Sequence, residues 1–350
     1  PKKGLFLTDA NERKNQWARN RQREVQDIGP PPAKPRTKVW KAHRLESDES
    51  LTRHLEICYP AAFPLDWSAD HLDLMRDIER AADVGMLKAI AMPRGSGKTS
   101  IMVRAGLWAL LTGRRRYCCV VAATEIAARQ ILKGIKAEIL FNPQLAKYYG
   151  RELHCLLSME GQSIRAKGQR SRGVLTSPEW NADRIGFGHC KGLKKTNGAY
   201  LTTAGITGQV RGQQVVTPGG EIVRPDLALI DDPQTKESAS SETQCKNRHE
   251  TMMGDILGLS GPSKEISAIA TCTVIYKGDL ADRLLDREAS PNWQGDKRQM
   301  VNRWPDATEL WDQYASIRAK DFIDGGDGSA GTKFYKKNRK KMDKGARVAW

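Results

Sequence analysis

The chain has 350 residues, 39% hydrophobic and 28% charged, enough to bury a sizeable core in one large domain or two small ones. No apolar run approaches the roughly 20 residues of a membrane helix, and the segment from Pro1 to Lys14 has no signal-peptide core, so the composition predicts a cytosolic protein with no membrane partner. The net charge of +16 excludes an acidic, solvating chain and raises the question of where the cations sit.

They sit at the two ends. Residues 1–44 hold 12 Lys/Arg against 4 Asp/Glu (+8), residues 333–350 hold 8 against 1 (+7), and the 288 residues between carry the remaining +1. Clustered Lys/Arg bind phosphates with release of counterions, so a polyanion partner fits this distribution. Solvated tails fit it equally on composition alone. The seven cysteines form no C-x-x-C pair and read as reduced thiols rather than a disulfide framework. His154–Cys155 and His189–Cys190 are poor metal pairs, since adjacent residues rarely chelate one ion.

In chain order, residues 1–50 read as a basic arm whose Pro-rich part cannot hold a helix, with compact structure expected from about Leu51. The segment Ser68–Gly85 has a Ser cap, helical spacing of Leu72, Met75 and Ile78, and a terminating glycine. Residues 87–92 read as a strand, 98–113 as a helix stopped by Gly113, 116–124 as a strand, and the segment from Glu125 as a helix. Residues 225–233 and 265–275 supply two more buried strands, separated by a helix. This alternation predicts an α/β fold, a parallel sheet covered by helices on both faces. Residues 160–200, with 8 Lys/Arg against Glu160, Glu179 and Asp183, read as an irregular excursion or hairpin. Beyond residue 305 a helix, a linker over 323–332 and a basic helix from Lys333 are expected. The resulting partition is an arm (1–50), a nucleotide-binding domain (51–305) and a helical segment with linker (306–350).

Two motifs carry chemistry. The run Met92-Pro-Arg-Gly-Ser-Gly-Lys-Thr-Ser100 follows a strand and opens a helix, as a phosphate-binding loop does. Gly95, Ser96, Gly97, Lys98, Thr99 and Ser100 would hold the phosphates of ATP, with Lys98 reaching the β/γ-phosphates and Thr99 offering its hydroxyl to Mg²⁺. The pattern's first glycine is replaced by Met92. The strand Leu227–Asp232 then delivers two carboxylates: Asp231 to hold Mg²⁺ and Asp232 to activate water, a place more often filled by Glu. Taken alone, Asp231 and Asp232 also suit a carboxylate-capped strand exit. Two arginines are candidates to meet the developing phosphoryl charge: Arg94 within the loop, and Arg211, for which an ordinary hairpin role has equal weight on spacing.

Together these segments resemble the large terminase subunit of tailed bacteriophages, the ATP-driven motor that packages DNA. The resemblance covers about residues 61–350 and rests on the helix before the loop, the deviant loop with its internal arginine, the segment from Ala123, Val210-Arg-Gly212, Leu229-Ile-Asp-Asp-Pro233, and Thr271-Cys-Thr-Val-Ile-Tyr-Lys-Gly278. It implies that Arg94 acts in cis and Arg211 in trans within a ring, and that Thr271 and Thr273 couple hydrolysis to DNA movement. It further implies double-stranded DNA, a portal protein and a small terminase subunit as partners in the host cytoplasm. Cys272 stands where Pro is frequent in the family. Such proteins also carry a nuclease domain, expected beyond Trp350; Asp321, Asp324 and Asp327 read as solvated linker residues, so no nuclease activity is expected here. A helicase-like or remodelling ATPase shares both motifs, and a nucleic-acid-binding module with a degenerate nucleotide site is the non-enzymatic alternative.

Overall fold

The computed structural model describes residues 12, 14–17, 27–208, 210–262 and 264–349. Most of the basic arm before its Pro-rich part lies outside the described residues. Packed structure begins earlier than residue 51. Helix α1 (Lys38–Glu49) is capped by Thr37, whose hydroxyl accepts from the Trp40 N–H. Its Arg44, counted above among the arm's cations, is buried and bonds both carboxylate oxygens of Glu152 at 3.1 Å and the Tyr148 carbonyl. Just before it, Asp27 accepts from the backbone N–H groups of Gly29 and Arg172, and the Ile28 N–H donates to the Arg170 carbonyl. Residues 27–50 are therefore part of the packed domain, because a buried, fully paired arginine and a bonded chain entry replace the solvated arm.

Helix α2 (Leu51–Cys58) and helix α3 (Ala69–Asp83) follow. Helix α3 carries the expected Ser68 cap, closed by His71 into a reciprocal capping box. Leu74, Met75 and Ile78 are its buried stripe, one step round from the expected one, since Leu72 is exposed. Then come β1 (Leu87–Ala91), helix α4 (Lys98–Thr112), β2 (Tyr117–Ala122) and helix α5 (Glu125–Phe141). The excursion over 160–200 contains β3 (Glu179–Trp180) and β4 (Arg184–Gly186), and leads into β5 (Tyr200–Gly205). Strand β6 (Leu227–Asp231), helix α6 (Glu242–Glu250), β7 (Ser267–Cys272), helix α7 (Leu280–Leu285) and β8 (Asp296–Lys297) complete the domain.

The strands form one 8-stranded sheet in the order β8-β1-β7-β6-β2-β5-β4-β3. From β8 to β5 every neighbour pairs parallel, and β4 and β3 extend the edge antiparallel. Alternation along the strands builds both cores: Ile90, Val120, Leu229 and Ile269 face helices α3, α4 and α5, while Ala89, Val121, Ile230 and Ala270 face Met252, Ile256, Leu280 and Trp293. Helix α4 is buried almost all round, and a Cβ at Gly106 would lie 3.1 Å from Cys118 Sγ and 3.3 Å from a Leu229 methyl. That glycine lets the helix sit directly on β2 and β6.

Of the main sheet's strands, two lie where the sequence shows no strand pattern. Strand β5 is wholly buried but contains Thr202 and Thr203, which break the apolar run, and β8 has only two residues. The stretch expected as a linker over 323–332 is instead a tight turn between helix α8 (Thr308–Ile323) and helix α9 (Ser329–Met342). Asp321 accepts from the Ala330 N–H and Asp327 from the Ser329 N–H, so these carboxylates organise the turn. The basic helix accordingly starts earlier than Lys333 and stops at Met342, after which Arg347–Val348 pairs antiparallel with Val301–Arg303.

Candidate functional site

Strand β1 runs into the glycine loop without the tight entry turn that a glycine at position 92 would give. The Met92 N–H donates to the Cys272 carbonyl at 3.0 Å, extending the ladder to β7 one residue past Ala91, and the Met92 side chain is 2% exposed. Burying a methionine contributes roughly 1.5–3 kcal/mol, which gives the departure a packing reason. Gly95 and Gly97 have φ of 81° and 76°, left-handed values that glycine adopts without strain. No atom lies within 4 Å of a Cβ built at either, so backbone conformation rather than crowding is what demands glycine. Gly97 caps helix α4 without any side-chain hydrogen bond, and the first-turn N–H groups of a helix lack internal partners. The loop is steadied from outside by His71, whose Nε2 lies 2.7 Å from the Ser96 carbonyl. Ser96 Oγ is buried without a hydrogen-bond partner among the described residues.

Strand order decides what meets this loop. Strand β7 lies between β1 and β6, with Thr271 in register with both Ile90 and Asp231. Period-two alternation turns Thr271 and Thr273 to the same side and Cys272 to the other, where it packs with Ala91 and Ala281. Lys98 Nζ is 2.9 Å from Asp232 Oδ2 and donates to Thr273 Oγ1 at 2.9 Å. Thr99 Oγ1 donates to Asp231 Oδ1 at 3.0 Å, and Thr271 Oγ1 to the same oxygen at 3.3 Å. The lysine, the three threonines and the two carboxylates thus form one cluster.

The two carboxylates differ. Asp231 is 7% exposed; burial pushes its carboxyl up to about 6, opposed by the Thr99 hydroxyl and reinforced by the neighbouring Asp232 charge. Asp232 keeps a side chain 36% exposed, with a backbone φ of 40°, a left-handed value that Asp and Asn tolerate better than most residues. Beside them a cleft of about 570 Å³ opens between helices α4 and α5, lined by Thr99, Ser100, Asp231, Asp232, Gln130 and Ile131 among others.

The two arginines part company. Arg94 is exposed within the glycine loop and has no ion pair among the described residues. Arg211 has a side chain 78% exposed and pairs with Asp255; among the described residues no hydrogen bond or ion pair joins it to the Lys98 cluster.

Two further residues support the site and were missed. Gln234 uses both ends of its amide: Nε2 donates to the Thr273 carbonyl at 2.9 Å and to Asp279 Oδ2 at 2.8 Å, while Oε1 accepts from the Leu280 N–H at 3.1 Å. Asp279 also accepts from the N–H groups of Ile275 and Tyr276 and caps helix α7. Arg248 is buried and donates to the carbonyls of Pro233 and Ala123, tying together the loops that leave β6 and β2. A glutamine three residues after the acidic strand and an arginine inside a polar helix carry no motif, so only the fold reveals them.

No protein-family model matches the chain, and no curated protein matches its sequence. No helix among the described residues is long and apolar enough to cross a membrane.

Proposed function

We propose that the chain is an ATP-hydrolysing motor of the terminase type that translocates double-stranded DNA. The observation that carries the reading is the convergence of Lys98, Thr99, Asp231, Asp232 and Thr273 at the ends of β1, β6 and β7. In open parallel sheets ligands bind outside the carboxyl ends of the strands, which is where these residues lie. Left-handed glycines and a helix N-terminus suit a polyphosphate, and the unpartnered Ser96 hydroxyl offers one more donor.

The donor set also fits Mg²⁺. Among the described residues no three His, Cys, Asp or Glu side chains cluster as a metal cage. A single buried carboxylate with a threonine hydroxyl is what Mg²⁺ uses when phosphates and water complete its shell. Asp231 and Thr99 would hold the ion, which when bound would neutralise phosphate charge. Lys98 leaves Asp232 for the phosphates as nucleotide enters, and this frees the more exposed carboxylate to take a proton from water. Thr273, bonded to both Lys98 and Asp232, registers that exchange, and Gln234 carries it to helix α7. Exposed Arg94 is available in cis, and Arg211, exposed and ion-paired with Asp255, is available to a neighbouring subunit of a ring; a portal protein and a small terminase subunit would be further partners of the motor.

Binding of ATP with Mg²⁺ and release of phosphate, with and without duplex DNA, test the reading. Failure to bind ATP overturns it. Binding without turnover, even with DNA and under conditions of assembly, would favour the nucleic-acid-binding module instead.

A further inference from the structure

Helix α9 divides sharply into two faces. At 100° per residue, Gly331, Tyr335 and Met342 fall on one side, where Gly331 and Met342 are buried. There Tyr335 meets Trp311 and Tyr314 with ring centroids 5.7 and 6.5 Å apart, and Trp311 Nε1 donates to the Met342 carbonyl. Lys333, Lys336, Lys337, Lys340 and Lys341 are all exposed and fall within an arc of about 140° centred on the opposite side. None forms an ion pair among the described residues. The nearby carboxylates are engaged elsewhere: Asp343 with Arg339 and Tyr335, Asp321 and Asp327 with backbone N–H groups of the turn.

This arrangement works against the free helix. Lys333–Lys337, Lys336–Lys340 and Lys337–Lys341 are like-charge pairs at i,i+4, which destabilise a helix. The helix dipole accounts for cations in the last turn only, which covers Lys340 and Lys341 and leaves Lys333, Lys336 and Lys337 unexplained. A solvated surface would also intersperse carboxylates, and the helix carries none from Lys333 to Lys341; Asp327, in the turn before it, lies close enough to feel Lys333.

We infer that the lysine face of helix α9 is a docking surface for the phosphate backbone of duplex DNA. It deepens the motor reading above by naming the segment that holds the DNA. Five ammonium groups along one face of a helix match a row of phosphates, and phosphate contacts need no base sequence. Among the described residues no aromatic side chain falls within the lysine arc, Phe334 at its border being half-buried, so an exposed stacking platform of the kind that single strands use is absent there. A membrane-surface helix would pair its lysines with an exposed apolar face; here that face is packed against helix α8.

The test is binding of a fluorescent 20-base-pair duplex by the full chain across a salt series, without nucleotide, so that it stands or falls apart from the ATPase reading. Replacing Lys336, Lys337, Lys340 and Lys341 by Gln should flatten the slope of log affinity against log salt by up to about 3.6, at about 0.9 per phosphate contact. The same four changed to Arg should keep the wild-type slope, which guards against loss of fold. A second set, Lys133, Lys236, Lys246 and Lys264 changed to Gln, removes the same charge from exposed positions elsewhere and should leave the slope unaltered. Equal flattening by both sets, or none by the first, overturns the inference. So does tighter binding of a single strand, of duplex RNA or of anionic vesicles than of duplex DNA.

Discussion

Lys98 and Asp232 form an ion pair of 2.9 Å in which the lysine is 6% and the carboxylate 36% exposed. The lysine reaches its partner from helix α4 across the end of β7, so it is held where a phosphate would compete for it. Because Asp232 faces solvent, it can lose that partner and remain hydrated.

Lys98→Ala should therefore fold and lose ATP turnover by about 10²-fold or more, the scale of removing one donor to a developing charge. Phosphate release and the melting temperature, measured together, check this. Turnover within a factor of two of wild type would sink the assignment of the glycine loop.

Asp232→Asn should bind ATP and fail to hydrolyse it, with a loss of roughly 10²–10⁴-fold. Asn accepts the left-handed backbone at this position as readily as Asp, so geometry is kept while the base is lost. Nucleotide titration beside single-turnover hydrolysis separates the two steps. If this variant failed to bind while Asp231→Asn bound, the roles of the carboxylates would be reversed.

Gln234→Ala should bind ATP within a few-fold of wild type yet turn it over at least about tenfold more slowly, since Thr273 loses the amide that fixes its carbonyl. It also strips partners from the buried Asp279 and from the Leu280 N–H, for a stability loss of about 1–3 kcal/mol. A variant that lost stability with kcat unchanged would make Gln234 structural only.

Arg211→Ala should leave slow turnover by the isolated subunit nearly unchanged and remove the stimulation that comes with assembly, whereas Arg94→Ala should depress both. Mixed with Lys98→Ala subunits, Arg211→Ala subunits should regain partial activity, because some sites then combine an intact lysine with a neighbour's intact arginine. Absence of recovery in rings shown to be mixed would count against action in trans.

His54 gives a pH dependence of stability. It is fully buried, with Nδ1 2.9 Å from Ser47 Oγ, and burial holds its imidazole down at about 3 against an ordinary 6.5. A depressed folded value means that stability is complete above pH 6.5 and is lost as pH falls toward 3, because the unfolded chain takes up the proton first. Between 6.5 and pH 5 the loss is about 2 kcal/mol. Unfolding in urea at both pH values should show it, and His54→Asn should flatten the decline; an equally steep decline in that variant would refute the assignment.

What was legible in the sequence was what repeats between chemistry and spacing. Lys98, Thr99, Asp231 and Asp232 follow strands whose apolar runs are unmistakable, and Thr271 and Thr273 follow a third. Strand β5 was hidden because Thr202 and Thr203 are polar side chains at buried positions, Thr202 being satisfied by Gln213. Helix α1 is masked in the sequence because Pro30, Pro31, Pro32 and Pro35 come directly before it and give the whole stretch the composition of an extended arm. The turn at Asp321–Ser329 reads as a linker because Gly and Asp serve both tight turns and flexible chain, and only the packing of helices α8 and α9 separates the two. Gln234 and Arg248 act through loops brought together by the sheet, which no local pattern encodes.

The position of β7 has a mechanical consequence. A strand paired on both sides cannot slide by one residue without turning Thr271 and Thr273 away and Cys272 inward, so its end is a fixed anvil rather than a piston. If Thr273 couples hydrolysis to movement as proposed, the displacement would leave through the loop Val274–Asp279, which lies beyond the ladder and includes Gly278 at a φ of 79°. Helix α7 begins at the far end of that loop, and is the lever that such a hinge would swing.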